Sequence, residues 1–394
     1  MDKLNTIFQE HIAQGDDTSN KLLGAAFIVV NSQGVIYSGA AGRIDFDVDS
    51  KPFQTDSFTW FASLTKIITT TSIMQIVEQG LVGLDNDVRS FVPELASMQI
   101  LRGFEADGKP ILEDNTRPIT LRNLLTHTLG LGYDIADPDL VKWSKYVGRT
   151  ATNLDWTREG FNTPLKFAPG DGWYYGAAVD WAAQILENIT GQTLSEYIQE
   201  HIFNPLGIKD SGFWPEKLPQ TADRTVGYSY REGDILKPGP PSVPREHEME
   251  SGGAGLFSTA HDYAVFLRGL LQGKLVEKQT LQAMFTPQLN KAQSAMLEAI
   301  AYTPGVHEAL APEFPAGLAI NHGLGGVINV EDVPGKRRKG SLMWSGMSNS
   351  RWWIDQETGI ASVLVVNVQP FGDAVVKSLY NELELAVYDV VGNQ

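Results

Sequence analysis

The strand-forming segments of this 394-residue chain lie at its two ends, and that placement constrains the fold more than any other feature. Residues 24–30 and 35–42 are apolar or small and flank the turn-rich tetrapeptide Asn31-Ser32-Gln33-Gly34. Residues 341–346, 351–354 and 360–368 read as three further strands near the C-terminus. Each set has a flanking helix. Leu4, Ile7, Phe8 and Ile12 share one helical face, and 373–391 reads as a terminal helix. The pattern predicts one antiparallel sheet assembled from both termini, with the middle of the chain carried on it as an insertion.

That middle reads as mostly helical. An apolar helix over 65–78 is stopped by Gly80, and further helices fall at 121–126, 179–189 and 194–202. Lys237-Pro238-Gly239-Pro240-Pro241 reads as loop, and the basic run 336–339 as a solvated turn. No repeat or linker divides the chain. We expect residues 1–394 to form one unit, with a sheet subregion at about 1–80 and 251–394 and a helical subregion at about 81–250.

Composition narrows the function classes. With 47 acidic and 31 basic side chains the formal charge is −16, so phosphate backbones and anionic headgroups are repelled, which disfavours nucleic-acid and membrane partners. The absence of cysteine removes disulfides, thiolate metal sites, iron–sulfur clusters and cysteine nucleophiles. No apolar run approaches the ~20 residues that span a bilayer, and Met1-Asp2-Lys3-Leu4-Asn5 lacks the character of a signal peptide. The expectation is a soluble cytoplasmic protein.

Among nucleophile motifs, no serine has glycine at both −2 and +2, and there is no His-Glu-x-x-His, no phosphate-binding loop and no dinucleotide fingerprint. No metal or other cofactor is therefore expected. What remains is Ser63-Leu64-Thr65-Lys66, the sole Ser-x-x-Lys, a pattern that chance supplies roughly once in a chain like this. Its place strengthens it. Ser63 sits where the 65–78 helix starts, so Lys66 follows one turn later on the same face. Helix starts offer unpaired amides and positive potential, and a lysine beside a serine hydroxyl can activate it as a nucleophile. The tetrapeptide alone is also compatible with a plain helix start bearing a solvated lysine.

The chain resembles the serine β-lactamase/penicillin-binding-protein superfamily, in its class C β-lactamase and family VIII carboxylesterase branch. The resemblance runs over nearly the whole length, in the family's order. Phe61-Ala62-Ser63-Leu64-Thr65-Lys66 resembles the first motif, and Leu121 to Leu131 a helix-and-turn hallmark of the branch. Pro169-Gly170-Asp171-Gly172-Trp173-Tyr174-Tyr175-Gly176-Ala177 resembles the segment with the tyrosine motif, and Gly252-Gly253-Ala254-Gly255-Leu256-Phe257-Ser258-Thr259 another recurrent segment. Trp344-Ser345-Gly346 falls on a predicted strand where the family has its third motif. Trp173 to Gly176 followed by Val179-Asp180-Trp181, and the turn Ala106-Asp107-Gly108-Lys109 within 103–120, are similar to fungal transesterases of the lovastatin acyltransferase type.

The resemblance implies an α+β fold of the β-lactamase/transpeptidase kind, with a helical region over a cleft and Trp344-Ser345-Gly346 on a facing edge strand. It implies that Ser63 attacks an acyl carbonyl and that Lys66 and Tyr175 handle the proton, either of them being the base. It implies that the backbone amides of Ser63 and Met347 form the oxyanion hole, and that Trp344, Ser345 and Gly346 help bind substrate. Trp60, Trp173 and Trp344 each adjoin a motif, and with Tyr174 they are candidates for an apolar substrate wall. His127 with Asp134 invites a Ser-His-Asp reading, but a structural histidine is expected there; Asp85 and Asp87 read as turn or cap residues.

Two departures direct the substrate. Where β-lactamases place a lysine for the substrate carboxylate this chain has Trp344, and where they place an asparagine for the side-chain amide it has Ala177. Acyl-transfer groups remain while antibiotic-recognition groups are absent. The resemblance therefore implies a small-molecule ester or thioester donor, with water or an alcohol as acceptor. A class C-like β-lactamase, a D-amino-acid peptidase and a catalytically silent ligand-binding homologue stand as alternatives, and oligomeric state is not legible.

Overall fold

The computed structural model describes residues 2–244 and 246–391. The strand Gly24–Asn31 is buried along all but its last residue, as a run of small and β-branched apolar residues covered on both faces must be. It is the second of seven strands. The sheet order is Val35–Gly42, Gly24–Asn31, Ile360–Val365, Arg351–Asp355, Leu342–Ser345, Val327–Asn329, Ile320–His322. Each neighbouring pair is antiparallel. The N-terminal hairpin thus docks through Gly24–Asn31 onto the C-terminal strands, with Ala26 opposite Val365. The two strands at the far edge were not anticipated. At three residues each they are too short to show a period of two, and only pairing reveals them.

Trp353 lies against the C-terminal helix Ala374–Val391, its ring 5.6 Å from that of Tyr380. Side chains alternate along a strand, so Trp352 and its cross-strand partner Trp344 face the other way. Asp2–His11 packs with Ala374–Val391, while Ala260–Leu271 packs on Gly24–Asn31 and Ile360–Val365. Thr65–Glu78 is buried from Thr65 to Ile76. It is rich in Thr and Ile, which are mediocre helix formers, so its helicity rests on being surrounded. Ala178–Thr190 packs along it.

The middle of the chain is helical with two hairpins. Gln99–Phe104 and Pro110–Asp114 flank the expected turn at 106–109. Ser229–Glu232 pairs with Ile235–Pro238, which corrects the reading of 237–241 as loop throughout. Pro238 is tolerated because its strand forms the edge of that small sheet.

The basic run 336–339 is also corrected. Arg338 and Lys339 are exposed, but Arg337 is fully buried and bonds Glu384 at 2.7 Å, with Glu313 at 3.7 Å. Charge runs are usually solvated; here two buried carboxylates on distant segments reverse that preference. No helix among the described residues is long and apolar enough to cross a membrane.

Candidate active site

Ser63 occupies a tight turn. Ala62 before it takes a left-handed backbone (φ 47°), a conformation that alanine adopts only under local constraint. The constraint is visible: Thr65 Oγ1 donates to Ala62 O at 2.6 Å and accepts from Leu256 N at 3.0 Å, while Tyr263 donates to Leu64 O at 2.8 Å. Phe61, Ala62 and Leu64 are buried, whereas Ser63 is partly exposed.

Lys66 follows one turn later, buried. An ammonium has three donors, and three acceptors surround Nζ: Gly253 O at 2.8 Å, Ser63 Oγ at 3.2 Å and Tyr133 Oη at 3.3 Å. Tyr175 Oη donates to Ser63 Oγ at 2.7 Å, and its ring lies 4.9 Å from Lys66 Nζ. The structure therefore brings Ser63, Lys66 and Tyr175 together from a turn, a helix and the loop before Ala178–Thr190.

The third motif closes the other side. Pairing of Leu342–Ser345 with Val327–Asn329 stops at Met343, leaving Trp344 and Ser345 on a locally open edge. Gly346 meets the serine turn so closely that a Cβ there would lie 2.9 Å from Phe61 O and from Leu64 Cδ1. The backbone N–H groups of Ser63 and Met347 have no acceptor among the described residues. Two free amides flanking such a contact can stabilise an oxyanion.

The other candidates are placed as follows. Trp60, Trp173 and Trp344 are buried, at 2%, 0% and 2% exposure, so none presents a broad ring face to solvent. Trp344 backs Tyr175 with ring centroids 5.0 Å apart, and Trp60 donates to Ala254 O at 2.6 Å. Ser345 Oγ donates to Leu310 O at 3.3 Å. Tyr174 donates to Asp137 at 2.6 Å, where Lys166 also binds; burial and this carboxylate push the Tyr174 phenol up. Asp134 is held by Arg149 and by the Asn153 backbone, away from a Ser-His-Asp arrangement. Asp85 pairs with Arg122, and Asp87 with Arg89. No three acidic or histidine side chains converge as metal ligands among the described residues.

His127 packs edge-on against Tyr175 at 4.8 Å, and His322 lies 5.5 Å from His127. Burial pushes both imidazoles down, His322 to about 4. A buried neutral histidine binds fewer protons than its unfolded counterpart between pH 6.5 and about 4, so stability declines as pH falls through that window. Urea titrations from pH 7 to 4 are expected to show the wild type losing about 3 kcal/mol more than His322→Gln. Parallel losses would remove the assignment.

Tyr133, Gly253 and His322 are site residues that sequence reasoning missed. Burial, then Tyr175 and Asp180 nearby, push the Tyr133 phenol up, so it stays protonated beside Lys66. A usable signal existed in Gly132-Tyr133 and Tyr175-Gly176. A Cβ on Gly176 would lie 2.3 Å from Leu131 O, so the segments carrying the two tyrosines cross in backbone contact.

A hydroxyl hydrogen-bonded to two proton-handling groups, near free backbone amides, is equipped for covalent acyl transfer. Comparison with known proteins agrees with that chemistry. The chain is 35% identical over 373 residues to a lovastatin esterase of Penicillium rubens, covering 91% of each. It is 34% identical to a monacolin J acid methylbutanoyltransferase of Aspergillus terreus, covering 86% of this chain and 83% of that one. Among solved structures, a simvastatin synthase variant from Aspergillus terreus superimposes with TM-score 0.90 at 31% identity, over 99% of this chain and 95% of that one. The β-lactamase family profile matches residues 8–386, and with the fold and these relatives it shows that the chain belongs to the β-lactamase family.

Proposed function

We propose that this protein moves an acyl group from an ester or thioester to an alcohol on a small hydroxylated metabolite, through an ester on Ser63, with water as the competing acceptor. The observation that carries the reading is the double hydrogen bond on Ser63 Oγ, from Tyr175 at 2.7 Å and Lys66 at 3.2 Å. In its reacting form the Tyr175–Lys66 pair holds one proton fewer, as phenolate with ammonium or as phenol with amine, and it takes the Oγ proton as Oγ attacks the acyl carbonyl. The N–H groups of Ser63 and Met347 take the developing oxyanion, each worth ~3–4 kcal/mol. The leaving alcohol or thiol departs with that proton. An acceptor hydroxyl then gives its proton to the same pair, attacks the acyl-enzyme carbonyl, and frees Ser63 as the pair returns a proton to Oγ.

Hydrolysis and transfer share this intermediate and differ in the second nucleophile. The relatives' names span both outcomes, an esterase and a methylbutanoyltransferase. Trp344 and Ala177, both buried, supply neither the cation nor the amide that a β-lactam or peptide-like substrate needs, which supports the ester reading over a lactamase or peptidase.

The test is intact-protein mass after mixing with p-nitrophenyl esters of increasing chain length, wild type beside Ser63→Ala, with and without an alcohol acceptor. The expected result is an acyl-sized gain and p-nitrophenol release in wild type alone, with faster release when alcohol is present. Release that persists in Ser63→Ala would remove Ser63 as nucleophile. An acceptor-independent rate would leave hydrolysis as the activity.

A further inference from the structure

Asp180 is nearly fully buried in the helix Ala178–Thr190, yet no Lys or Arg bonds it. A carboxylate taken out of water costs several kcal/mol unless something compensates it, and its surroundings show what does. Oδ1 accepts from Ser251 Oγ at 2.5 Å and from Gly253 N at 3.0 Å. Ser251 Oγ, its own proton committed to the carboxylate, accepts from Ala254 N at 3.0 Å. That N–H belongs to the peptide unit whose carbonyl is Gly253 O, the oxygen bonded to Lys66 Nζ at 2.8 Å. The second arm has the same logic. Gly253 N belongs to the peptide unit whose carbonyl, Gly252 O, accepts from Thr69 Oγ1 at 2.8 Å, one helical turn beyond Lys66.

Two consecutive peptide dipoles therefore stand between Asp180 and the helix that carries Lys66. Their N–H ends face the carboxylate or the serine it holds, and their carbonyl ends face Thr65–Glu78. An anion at one end of aligned amides and a cation at the other stabilise each other and fix the amides. Desolvation raises the Asp180 carboxyl, and Lys66 acts in the opposite direction, consistent with the two groups sensing each other across the loop.

We propose that Asp180 is a positioning residue for acyl transfer: acting through Ser251 and the 253–254 peptide, it keeps Gly253 O turned onto Lys66 so that the amine stays aimed at Ser63. This rests on the Ser63 reading above, so the experiment is run after p-nitrophenyl ester acylation has been shown to need Ser63. Asp180→Asn keeps an acceptor oxygen but removes the charge; Ser251→Ala keeps the carboxylate but cuts its link to the Ala254 N–H, leaving that amide only the longer bond to Ser251 O at 3.3 Å; Ser251→Thr restores the hydroxyl.

The expected result is a fall in the single-turnover acylation rate of about 10- to 100-fold for Asp180→Asn and about 10-fold for Ser251→Ala, each with KM within about twofold of wild type. Ser251→Thr is expected to recover most of the rate. Thermal midpoints separate the roles, because Asp180→Asn leaves the buried Lys66 without its counter-charge and is expected to melt lower, whereas Ser251→Thr keeps both charges and the hydroxyl and is expected to melt near the wild-type temperature. Equal rates in wild type, Asp180→Asn and Ser251→Ala would overturn the proposal, leaving the Ser63 reading intact. Rate and melting temperature falling together in Ser251→Ala, without rescue by Ser251→Thr, would also overturn it, making the loop a structural support. If Asp180→Asn does not fold, the two Ser251 variants alone decide.

Discussion

Replacing Tyr175 by phenylalanine is expected to lower kcat/KM for ester acylation by about 10³-fold, roughly 4 kcal/mol of transition-state stabilisation. The substitution removes one atom, the hydroxyl that holds Ser63 Oγ at 2.7 Å. The ring contacts with His127, Tyr133 and Trp344 are retained, so the melting temperature is expected to stay within a few degrees. Tyr133→Phe makes the control. Tyr133 Oη reaches Lys66 at 3.3 Å but makes no hydrogen bond to Ser63, and Lys66 would keep Ser63 and Gly253 as partners. Its loss is expected to cost about 10-fold, the value of one hydrogen bond to a charged group. Stopped-flow p-nitrophenol release measures both variants. If Tyr133→Phe is the more damaging, the proton leaves through Lys66 and Tyr133, and Tyr175 is reduced to holding the serine in place.

The difference between those two tyrosines also marks how far the sequence can be read. Tyr175 was legible because it sits in an ordered series of segments that resemble a family. Tyr133 lies close to the Leu121–Leu131 segment but belongs to no such motif, and only the crossing of two backbones at Gly176 brings it to Lys66. The same holds for the fold. The helix over 65–78 and the hairpin 24–42 were legible because apolar content and turn chemistry are local properties. The strands Ile320–His322 and Val327–Asn329 were not, since three residues carry no period and exist as strands by virtue of their partners. The aromatic segments were legible as adjoining the site but not in their orientation. Trp173 is fully buried behind His127, 6.2 Å from its ring, although Tyr175, two residues on, bonds Ser63 Oγ.

The basic run at 336–339 gives the largest expected effect on stability, because the property that hid it from the sequence is long-range. Glu384→Ala is expected to destabilise the fold by about 3–5 kcal/mol, the cost of leaving a buried charge without its partner. Arg337 and Glu384 are both fully buried, 2.7 Å apart, and the nearest alternative carboxylate for Arg337 is Glu313 at 3.7 Å. Glu313 is already engaged by Arg351 at 3.3 Å, and Lys336 reaches Glu384 at 3.4 Å. Three cations thus share two carboxylates, and losing one carboxylate leaves the group strongly unbalanced.

The double variant Arg337→Met/Glu384→Leu is expected to recover most of the loss, because methionine can occupy the space between Trp353 and Phe314 where the guanidinium now lies, 5.1 and 5.4 Å from the ring centroids. Urea unfolding of the two single variants and the double gives the coupling energy directly. Arg351 also ties the cluster to the site, since it pairs in register with Ser345 and shares the Leu310 carbonyl with it. Ester acylation by folded Glu384→Ala therefore reports whether the third motif shifts with the cluster. A single-variant loss below 1 kcal/mol would mean that water reaches these charges and that the helix Ala374–Val391 is held by its apolar face alone.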